Sequence, residues 1–203
     1  MTATAPVFEW SDPADGLCEA SAASAHTTQV DVVLHGTDRA GGRVGAFIEV
    51  KLSETNFGHC SAYQDPTNTR RDICLSTRAF GGTPQACHLL RRRDPDHVGR
   101  QYPAYLAQGA ELTPDGGCTY RLGVNQPMRN VALAGLWGQR DQVQVVYALC
   151  APTRHQAMWR RWQEAQDALG PDNDIPLQSL FAEEVLTITN HAQAPFLRDR
   201  YLF

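Results

Sequence analysis

The sequence feature that most constrains the fold is a pair of charges inside an apolar stretch. Residues 47–54 read FIEVKLSE, in which Glu49 and Lys51 stand two positions apart. The stretch has the character of a buried strand, on which side chains two apart share one face. Because a buried charge is costly unless it is paired or binds a ligand, the fold must bring a partner to that face. Lys51 is also the only lysine in the chain, since every other Lys or Arg position is arginine.

The residues just before this stretch predict a neighbouring strand. Residues 28–36 read TQVDVVLHG, and the turn-like GTDRAGG separates them from a strand over residues 44–52. A short connection of this kind predicts an antiparallel hairpin. Asp31 on the first strand can then face the same side of the sheet as Glu49.

The remaining pattern predicts an α/β fold with a mixed β-sheet core flanked by helices. Further strands are predicted over LCEASA, QVQVVYALC and VLTIT, residues 17–22, 142–150 and 185–189. One helix is predicted behind Pro127, which suits a first helical turn. Another follows Thr153, for which Gln156 completes a capping box. Strands, helix, strand and helix in this order are typical of a layered α/β domain.

Length and composition indicate one domain. The chain has 203 residues, 42% of them hydrophobic, which is enough for one core. We expect a single domain over residues 1–203, with a loosely ordered lead-in over 1–16 and a long irregular insertion, rich in Cys and Arg, over 55–118. No apolar run is long enough for a bilayer, and the N-terminus lacks a basic region followed by an apolar core, so we expect a cytoplasmic protein without membrane contact. The net charge of -4 argues against general attraction to nucleic acid and leaves room for a local basic surface.

The charged residues of the hairpin predict a chemistry. Two carboxylates on one face, Asp31 and Glu49, are the hard oxygen ligands that Mg²⁺ prefers, together with water and substrate phosphate. The nearby ammonium of Lys51 can orient an attacking water or stabilise charge that develops on the phosphate. The charges in FIEVKLSE are then explained by a cation and a phosphodiester.

This arrangement, Asp31 followed by Glu49-Val50-Lys51 on a hairpin, resembles the PD-(D/E)XK superfamily of restriction-endonuclease-like nucleases. NQPMRNVALA, residues 125–134, looks like the glutamine-bearing helix of its RecB-like bacterial branch. The resemblance covers residues 18–54 and 118–169. It implies a restriction-endonuclease-like fold that cleaves DNA with Mg²⁺ or Mn²⁺, in a pathway of defence or repair.

The resemblance also implies roles for individual residues. It implies that Asp31, Glu49 and the Val50 carbonyl bind the metal and that Lys51 assists hydrolysis. Gln126 would contact the lysine or the metal-bound water, and Arg129 or Asn130 the DNA backbone. Related nucleases usually supply another acidic residue from an N-terminal helix, for which Glu19 or Glu9 could stand in. Glu54, at the end of EVKLSE, is a further candidate acid.

Four of the six cysteines lie in or beside the insertion. Cys60, Cys74, Cys87 and Cys118 could form one thiolate site for a zinc ion or an iron-sulfur cluster, which would explain how so irregular a segment folds. His59 and His88 are substitute ligands for zinc. No C-x-x-C pair is present, and four free thiols are the alternative. Cys18 and Cys150 are interpreted as small core residues.

The arginines of the insertion, among them Arg70, Arg71, Arg91 and Arg92, can contact phosphates beside the cleavage site. A charged, solvated loop is the alternative. Two other functions stay open: a nucleic-acid-binding module on the same fold that has lost cleavage, and a cysteine-metal subunit with a structural or regulatory role. The oligomeric state is open as well, a homodimer included.

Overall fold

A computed structural model describes residues 2–20, 27–76, 87, 90, 99–106, 117–169, 173–189, 195 and 200. These residues contain one mixed sheet of six strands. The strands are β1 (Thr2–Ala3), β2 (Val7–Trp10), β3 (Val30–Thr37), β4 (Arg43–Val50), β5 (Gln144–Ala151) and β6 (Leu177–Phe181). Their order in the sheet is β1-β3-β4-β5-β6, with β2 also paired to β3. The predicted α/β architecture with a mixed sheet is confirmed.

The predicted hairpin forms the centre of the sheet. β3 and β4 pair antiparallel with Val32 opposite Ile48. One residue further along the same register, Asp31 lies opposite Glu49 on the same side of the sheet. β5 runs parallel to β4 on its other edge and sets Leu149 beside Glu49.

The described helices are α1 (Ser61–Gln64), α2 (Arg71–Ser76), α3 (Asn125–Asp141), α4 (Gln156–Leu169) and α5 (Ala182–Thr189). The main core lies on the face of the sheet that packs against α3 and α4, and a smaller cluster containing Cys150, Leu180 and Leu186 lies on the opposite face. Phe47 and Trp137 pack at 5.4 Å between ring centroids. Gly45 must lack a side chain here, because a Cβ would lie 2.2 Å from the Trp137 ring.

The beginning of α3 is held by the loop that follows β4. The N–H groups of Asn125 and Gln126 have no partner within the helix. They donate instead to the carbonyls of Gly58, at 3.4 Å, and Phe57, at 3.1 Å. Pro127 is tolerated in this first turn because it needs no donor there. The loop therefore fixes this end of α3 against β4.

The lead-in expected over residues 1–16 is described from residue 2 onward. β1 and β2 pair antiparallel with β3, Trp10 packs edge-on against Phe47 at 5.3 Å, and Asp12 accepts a 2.8 Å bond from Arg140. Backbone pairing and one aromatic contact thus connect this segment to the sheet.

The strand predicted over residues 17–22 is wrong for the described residues 17–20. Cys18 has a positive φ of 54°, which lies outside the β region of backbone conformation. The Asp15 carboxylate accepts the N–H groups of Glu19 and Ala20 at 2.8 and 2.9 Å. These N–H groups are therefore unavailable for a sheet.

The strand predicted over VLTIT, residues 185–189, is also wrong, because these residues belong to α5. Glu183 and Glu184 stand in its first turn, where carboxylates favour a helix. Leu186 packs into the small cluster with Cys150. This tertiary contact and the helix start override the strand preference of the β-branched residues.

Where the insertion is described, it contains the short helices α1 and α2 and a 3₁₀ turn at Tyr102–Ala104. No helix within the described ranges has both the length and the apolar character that a membrane span requires.

Candidate active site

Glu49 lies at the end of β4 and is fully buried, with 0% of its surface exposed. Its carboxylate accepts three hydrogen bonds. Lys51 Nζ lies 2.5 Å from Oε1, Gln126 Nε2 donates to Oε1 at 2.7 Å, and Asn130 Nδ2 donates to Oε2 at 2.9 Å. The charge inside the apolar strand therefore has its partners within the protein.

Two elements supply these donors. Gln126 and Asn130 stand four residues apart in the first turns of α3, so both face the same carboxylate. Lys51 follows β4 directly, and its backbone N–H donates to the Cys150 carbonyl at 2.9 Å. Its side chain is only 10% exposed. The lysine is therefore held beside Glu49 by the sheet itself.

Asp31 shares the site from the neighbouring strand. Its Oδ2 accepts the Val50 N–H at 2.7 Å, which fixes the carboxylate beside the end of β4. The charge of Asp31 acts on Glu49 and disfavours its ionised form. Asp31, Glu49, Lys51 and Gln126, four residues predicted from the sequence, thus lie in one place.

Burial raises the pKa of Glu49 to about 7, although Lys51 opposes the shift; Asp31 adds to it. A carboxyl group with such a pKa in a cluster of charged residues is characteristic of functional sites. The negative charge of Glu49 and Asp31 is therefore not fully neutralised by the cations of the protein.

The residues present fit a divalent cation. Two neighbouring carboxylates repel one another, and a cation between them would remove that repulsion. Mg²⁺ is commonly held by one or two carboxylates, with water and substrate phosphate completing its shell. No group of three His, Cys, Asp or Glu with metal-binding geometry occurs in the part of the chain that the structure describes. The acidic pair of Asp31 and Glu49 is therefore the ligand set that we test against a divalent cation.

The sequence did not single out Tyr147, which completes the site from β5. Asn130 Nδ2 also donates to its hydroxyl, at 3.3 Å, and both side chains are 0% exposed. Arg129 or Asn130 was expected on the DNA backbone; in the structure the Asn130 side chain is buried against Glu49. Tyr147 could have been found only from the parallel pairing of β4 and β5, which sets it beside Phe47.

Glu19, a candidate for an additional acid, belongs to a different cluster. It is 4% exposed and accepts bonds from the Thr28 N–H and hydroxyl at 2.5 and 2.6 Å and from the Tyr102 hydroxyl. Arg129 Nη2 pairs with it at 3.1 Å. Burial would raise its pKa, but Arg129, Thr28 and Tyr102 together hold the pKa of Glu19 below its ordinary value. Arg129, expected on DNA, is thus engaged with an internal carboxylate.

Two further predicted residues lie close to the site. Glu54 is half exposed and its carboxylate lies 3.9 Å from Lys51 Nζ. Val50 turns its side chain to the opposite face of the sheet, into the cluster with Cys150, and donates its N–H to Asp31. The roles of the Val50 carbonyl as a metal ligand and of Glu54 as an acid stay predictions.

The four cysteines of the insertion lie in one region. Burial raises the pKa of the Cys118 thiol to about 12, and the charges of Cys87, Cys60 and Cys74 act on it in the same direction. Cys118 also donates its N–H to the Cys74 carbonyl at 2.8 Å. None of the six cysteines forms a disulfide. His59 accepts the Gly123 N–H at 3.0 Å, so its ring binds the backbone just before α3.

The predicted phosphate-binding arginines are described only in part. Arg71 is exposed and donates to the Gln64 carbonyl at 2.7 Å, and Arg70 is half-buried beside it. Arg91, Arg92 and His88 lie outside the described residues.

A mixed sheet flanked by helices, with an acidic pair and a lysine at the end of its central hairpin, defines a restriction-endonuclease-like core. The chain belongs to the family described as restriction endonuclease associating with ARP, whose family model matches residues 2–202. This membership indicates nuclease activity. Neither a curated protein nor a solved structure matches the chain.

Proposed function

We propose that this protein is a metal-dependent nuclease of the PD-(D/E)XK type, close to its RecB-like branch, and that it hydrolyses phosphodiester bonds of DNA. The observation that carries the proposal is the convergence of Asp31, Glu49 and Lys51 at the end of one hairpin, with Glu49 fully buried. Membership of a restriction endonuclease family supports it.

Each side chain has a separate task in this proposal. Asp31 and Glu49 hold a Mg²⁺ or Mn²⁺ ion, with the Val50 carbonyl as a further ligand. When bound, such an ion neutralises phosphate charge and lowers the pKa of a bound water. Lys51 carries a compact positive charge with three donors, which can orient the attacking water and stabilise charge on the phosphate. Gln126 holds Glu49 Oε1 at 2.7 Å and stays within reach of Lys51.

The charge balance of the site supports this assignment. Three acids, Asp31, Glu49 and Glu54, lie around the single ammonium of Lys51, so two negative charges are in excess when all four groups are ionised. A cluster with a purely structural role would be more stable with further protein cations, whereas this excess negative charge attracts a metal ion. The two missing positive charges are those that a divalent ion supplies.

The test is cleavage of linear and supercoiled DNA with Mg²⁺, with Mn²⁺ and with chelator. The purified protein is compared with Glu49→Gln and with Lys51→Met, which keep the size of the side chains. We expect metal-dependent cutting that both substitutions remove. Arg161 and Glu164 form an ion pair of the same length, 2.5 Å, on the surface of α4, so Glu164→Gln is the matched control and should cut normally.

A binding module that has lost cleavage is the alternative on the same fold. It predicts that the protein retards DNA in a gel, never cuts it with either metal, and is unaffected by Lys51→Met. Equal cutting by wild type and Lys51→Met would contradict both the proposal and its assignment of the lysine.

We propose separately that the four cysteines of the insertion take up a zinc ion or an iron-sulfur cluster. Their mutual electrostatic interaction supports this, although no three ligands with metal-binding geometry occur among the described residues. One zinc ion per chain, or iron together with acid-labile sulfide, in purified protein that is lost in Cys118→Ser would support it. Metal-free protein with all thiols reactive after unfolding would contradict it.

A further inference from the structure

The side chain of Asn130 is a buried amide whose hydrogen bonds are distributed unevenly. Both hydrogens of its Nδ2 have an acceptor, Glu49 Oε2 at 2.9 Å and the Tyr147 hydroxyl at 3.3 Å. Its Oδ1 is buried and has no hydrogen-bond partner among the described residues. A buried acceptor without a donor costs free energy, and most buried polar groups in proteins avoid it.

The uneven pattern fixes the orientation of the amide. If the amide were turned over, Oδ1 would face a carboxylate oxygen and the two oxygens would repel each other. The nitrogen is therefore kept toward Glu49, and the Tyr147 hydroxyl accepts its second hydrogen. Tyr147 is itself rigid, because it lies within β5 and packs against Trp162 at 5.7 Å between ring centroids.

The two oxygens of Glu49 are consequently held by different elements. Oε1 is held by Lys51 and Gln126, and Oε2 by Asn130, which is backed by Tyr147. A carboxylate held at both oxygens cannot rotate about its Cγ–Cδ bond without breaking one set of bonds. We infer that Asn130 and Tyr147 are positioning residues, which set the orientation in which Glu49 presents its carboxylate to a divalent cation.

This inference rests on the proposed function and extends it to a second layer of residues. In metalloproteins, a residue that orients a metal ligand without touching the metal commonly contributes roughly 10- to 100-fold to metal affinity. The orphaned Oδ1 is consistent with this role, since a water brought in with the cation can donate to it.

The test measures Mn²⁺ binding by electron paramagnetic resonance at one fixed alkaline pH. This readout does not depend on cleavage activity. Asn130→Leu removes both the donor and the orphaned acceptor while keeping the shape. We expect its dissociation constant for Mn²⁺ to rise about tenfold and the line shape of bound Mn²⁺ to broaden. Tyr147→Phe removes only the longer bond, so about a threefold rise is expected.

The matched control is Asn125→Leu. Asn125 is a buried asparagine of the same helix, 8% exposed, and it makes no hydrogen bond to the site residues in the described part of the chain. Its substitution should leave Mn²⁺ binding unchanged. Thermal unfolding without metal separates folding from positioning, because Asn130→Leu should unfold within a few degrees of wild type while its Mn²⁺ affinity falls.

The outcomes distinguish this inference from the proposed function. If wild type binds no Mn²⁺, the proposed metal site is overturned together with the positioning role. If Glu49→Gln abolishes Mn²⁺ binding and Asn130→Leu and Tyr147→Phe both bind as wild type does, the positioning role alone is overturned.

Discussion

Two glutamates are buried in this protein to nearly the same degree, and their pKa values move in opposite directions. Glu19 is 4% exposed and Glu49 0%. The pKa of Glu19 lies below its ordinary value because Arg129, Thr28 and Tyr102 outweigh burial. The pKa of Glu49 rises to about 7 because burial, with the nearby Asp31, outweighs Lys51.

The difference between the two clusters lies in their charge balance rather than in the number of hydrogen bonds. Each carboxylate accepts at least three bonds from the protein. Around Glu19 the charges are matched one to one by Arg129, whereas Glu49 shares one lysine with a second acid. A matched cluster stabilises the fold, and an unmatched one is suited to bind a cation.

Of the substitutions that test the difference between the two clusters, the one at Lys51 should have the largest effect, a loss of DNA cleavage. Lys51→Met should lower the cleavage rate roughly 100- to 1,000-fold, since it removes the ammonium that we propose stabilises charge on the reacting phosphate. Its stability should change little near pH 7, because Glu49 can take up a proton once the ammonium is gone. Rates on supercoiled DNA and chemical denaturation of the same samples measure the two effects. A stability loss without a loss of rate would assign Lys51 to the fold.

Arg129→Met should have the opposite profile. It leaves Glu19 buried without its cation, so the free energy of unfolding should fall by about 3 kcal/mol. The part of the sample that is folded should keep most of its cleavage rate at saturating DNA. Urea denaturation gives the stability. A cleavage loss as large as that of Lys51→Met would show that the two clusters act as one site.

The third expected effect is a pH dependence of stability in the absence of metal. The folded-state pKa of Glu49, about 7, lies above the unfolded value near 4.5, so the folded protein binds the proton more tightly. The stability that this proton provides is complete below pH 4.5 and is lost as the pH rises to about 7, by up to roughly 3 kcal/mol.

The matching variant for that pH dependence is Glu49→Gln, which cannot titrate. Subtracting its unfolding free energy from that of wild type at each pH isolates the contribution of Glu49 from those of other carboxylates. A flat difference between pH 4.5 and 7 would contradict the raised pKa.

The smallest effect is expected at Tyr102, the fully buried tyrosine of the Glu19 cluster. Tyr102→Phe removes one hydroxyl donor to a charged acceptor and should cost about 1 to 2 kcal/mol of stability, with a rise in the pKa of Glu19. Tyr105→Phe is the control, since its hydroxyl makes no hydrogen bond to the described residues. An equal stability loss in both variants would show that Glu19 does not depend on this donor.

The central hairpin and its acidic pair could be predicted from the sequence because their signals are local. The alternating pattern of the two strands, the short turn between them and the charges of Glu49 and Lys51 in an apolar stretch all lie within about 25 residues. Gln126 was also found, through the resemblance of residues 125–134 to a glutamine-bearing helix of the nuclease family. In the structure, Asp31, Glu49, Lys51 and Gln126 lie together as the sequence predicts.

The partners contributed by distant segments could not be predicted in the same way. Tyr147 reaches the site only through the parallel pairing of β4 and β5, and Tyr102 meets Glu19 across 83 positions of the chain. Arg129 and Asn130 are adjacent in sequence and serve different clusters, since neighbouring side chains on a helix point about 100° apart. Local patterns also gave the wrong structure for residues 185–189, where tertiary packing decides.

The most direct test is a titration of the carboxyl carbons of Glu49 and Glu19 by NMR, with and without Mg²⁺. The account predicts a midpoint near pH 7 for Glu49 that moves down when Mg²⁺ is added. It predicts for Glu19 a midpoint below the ordinary glutamate value that Mg²⁺ does not move. An ordinary midpoint for Glu49, or one that is indifferent to Mg²⁺, would contradict the claim that this cluster is built for a cation.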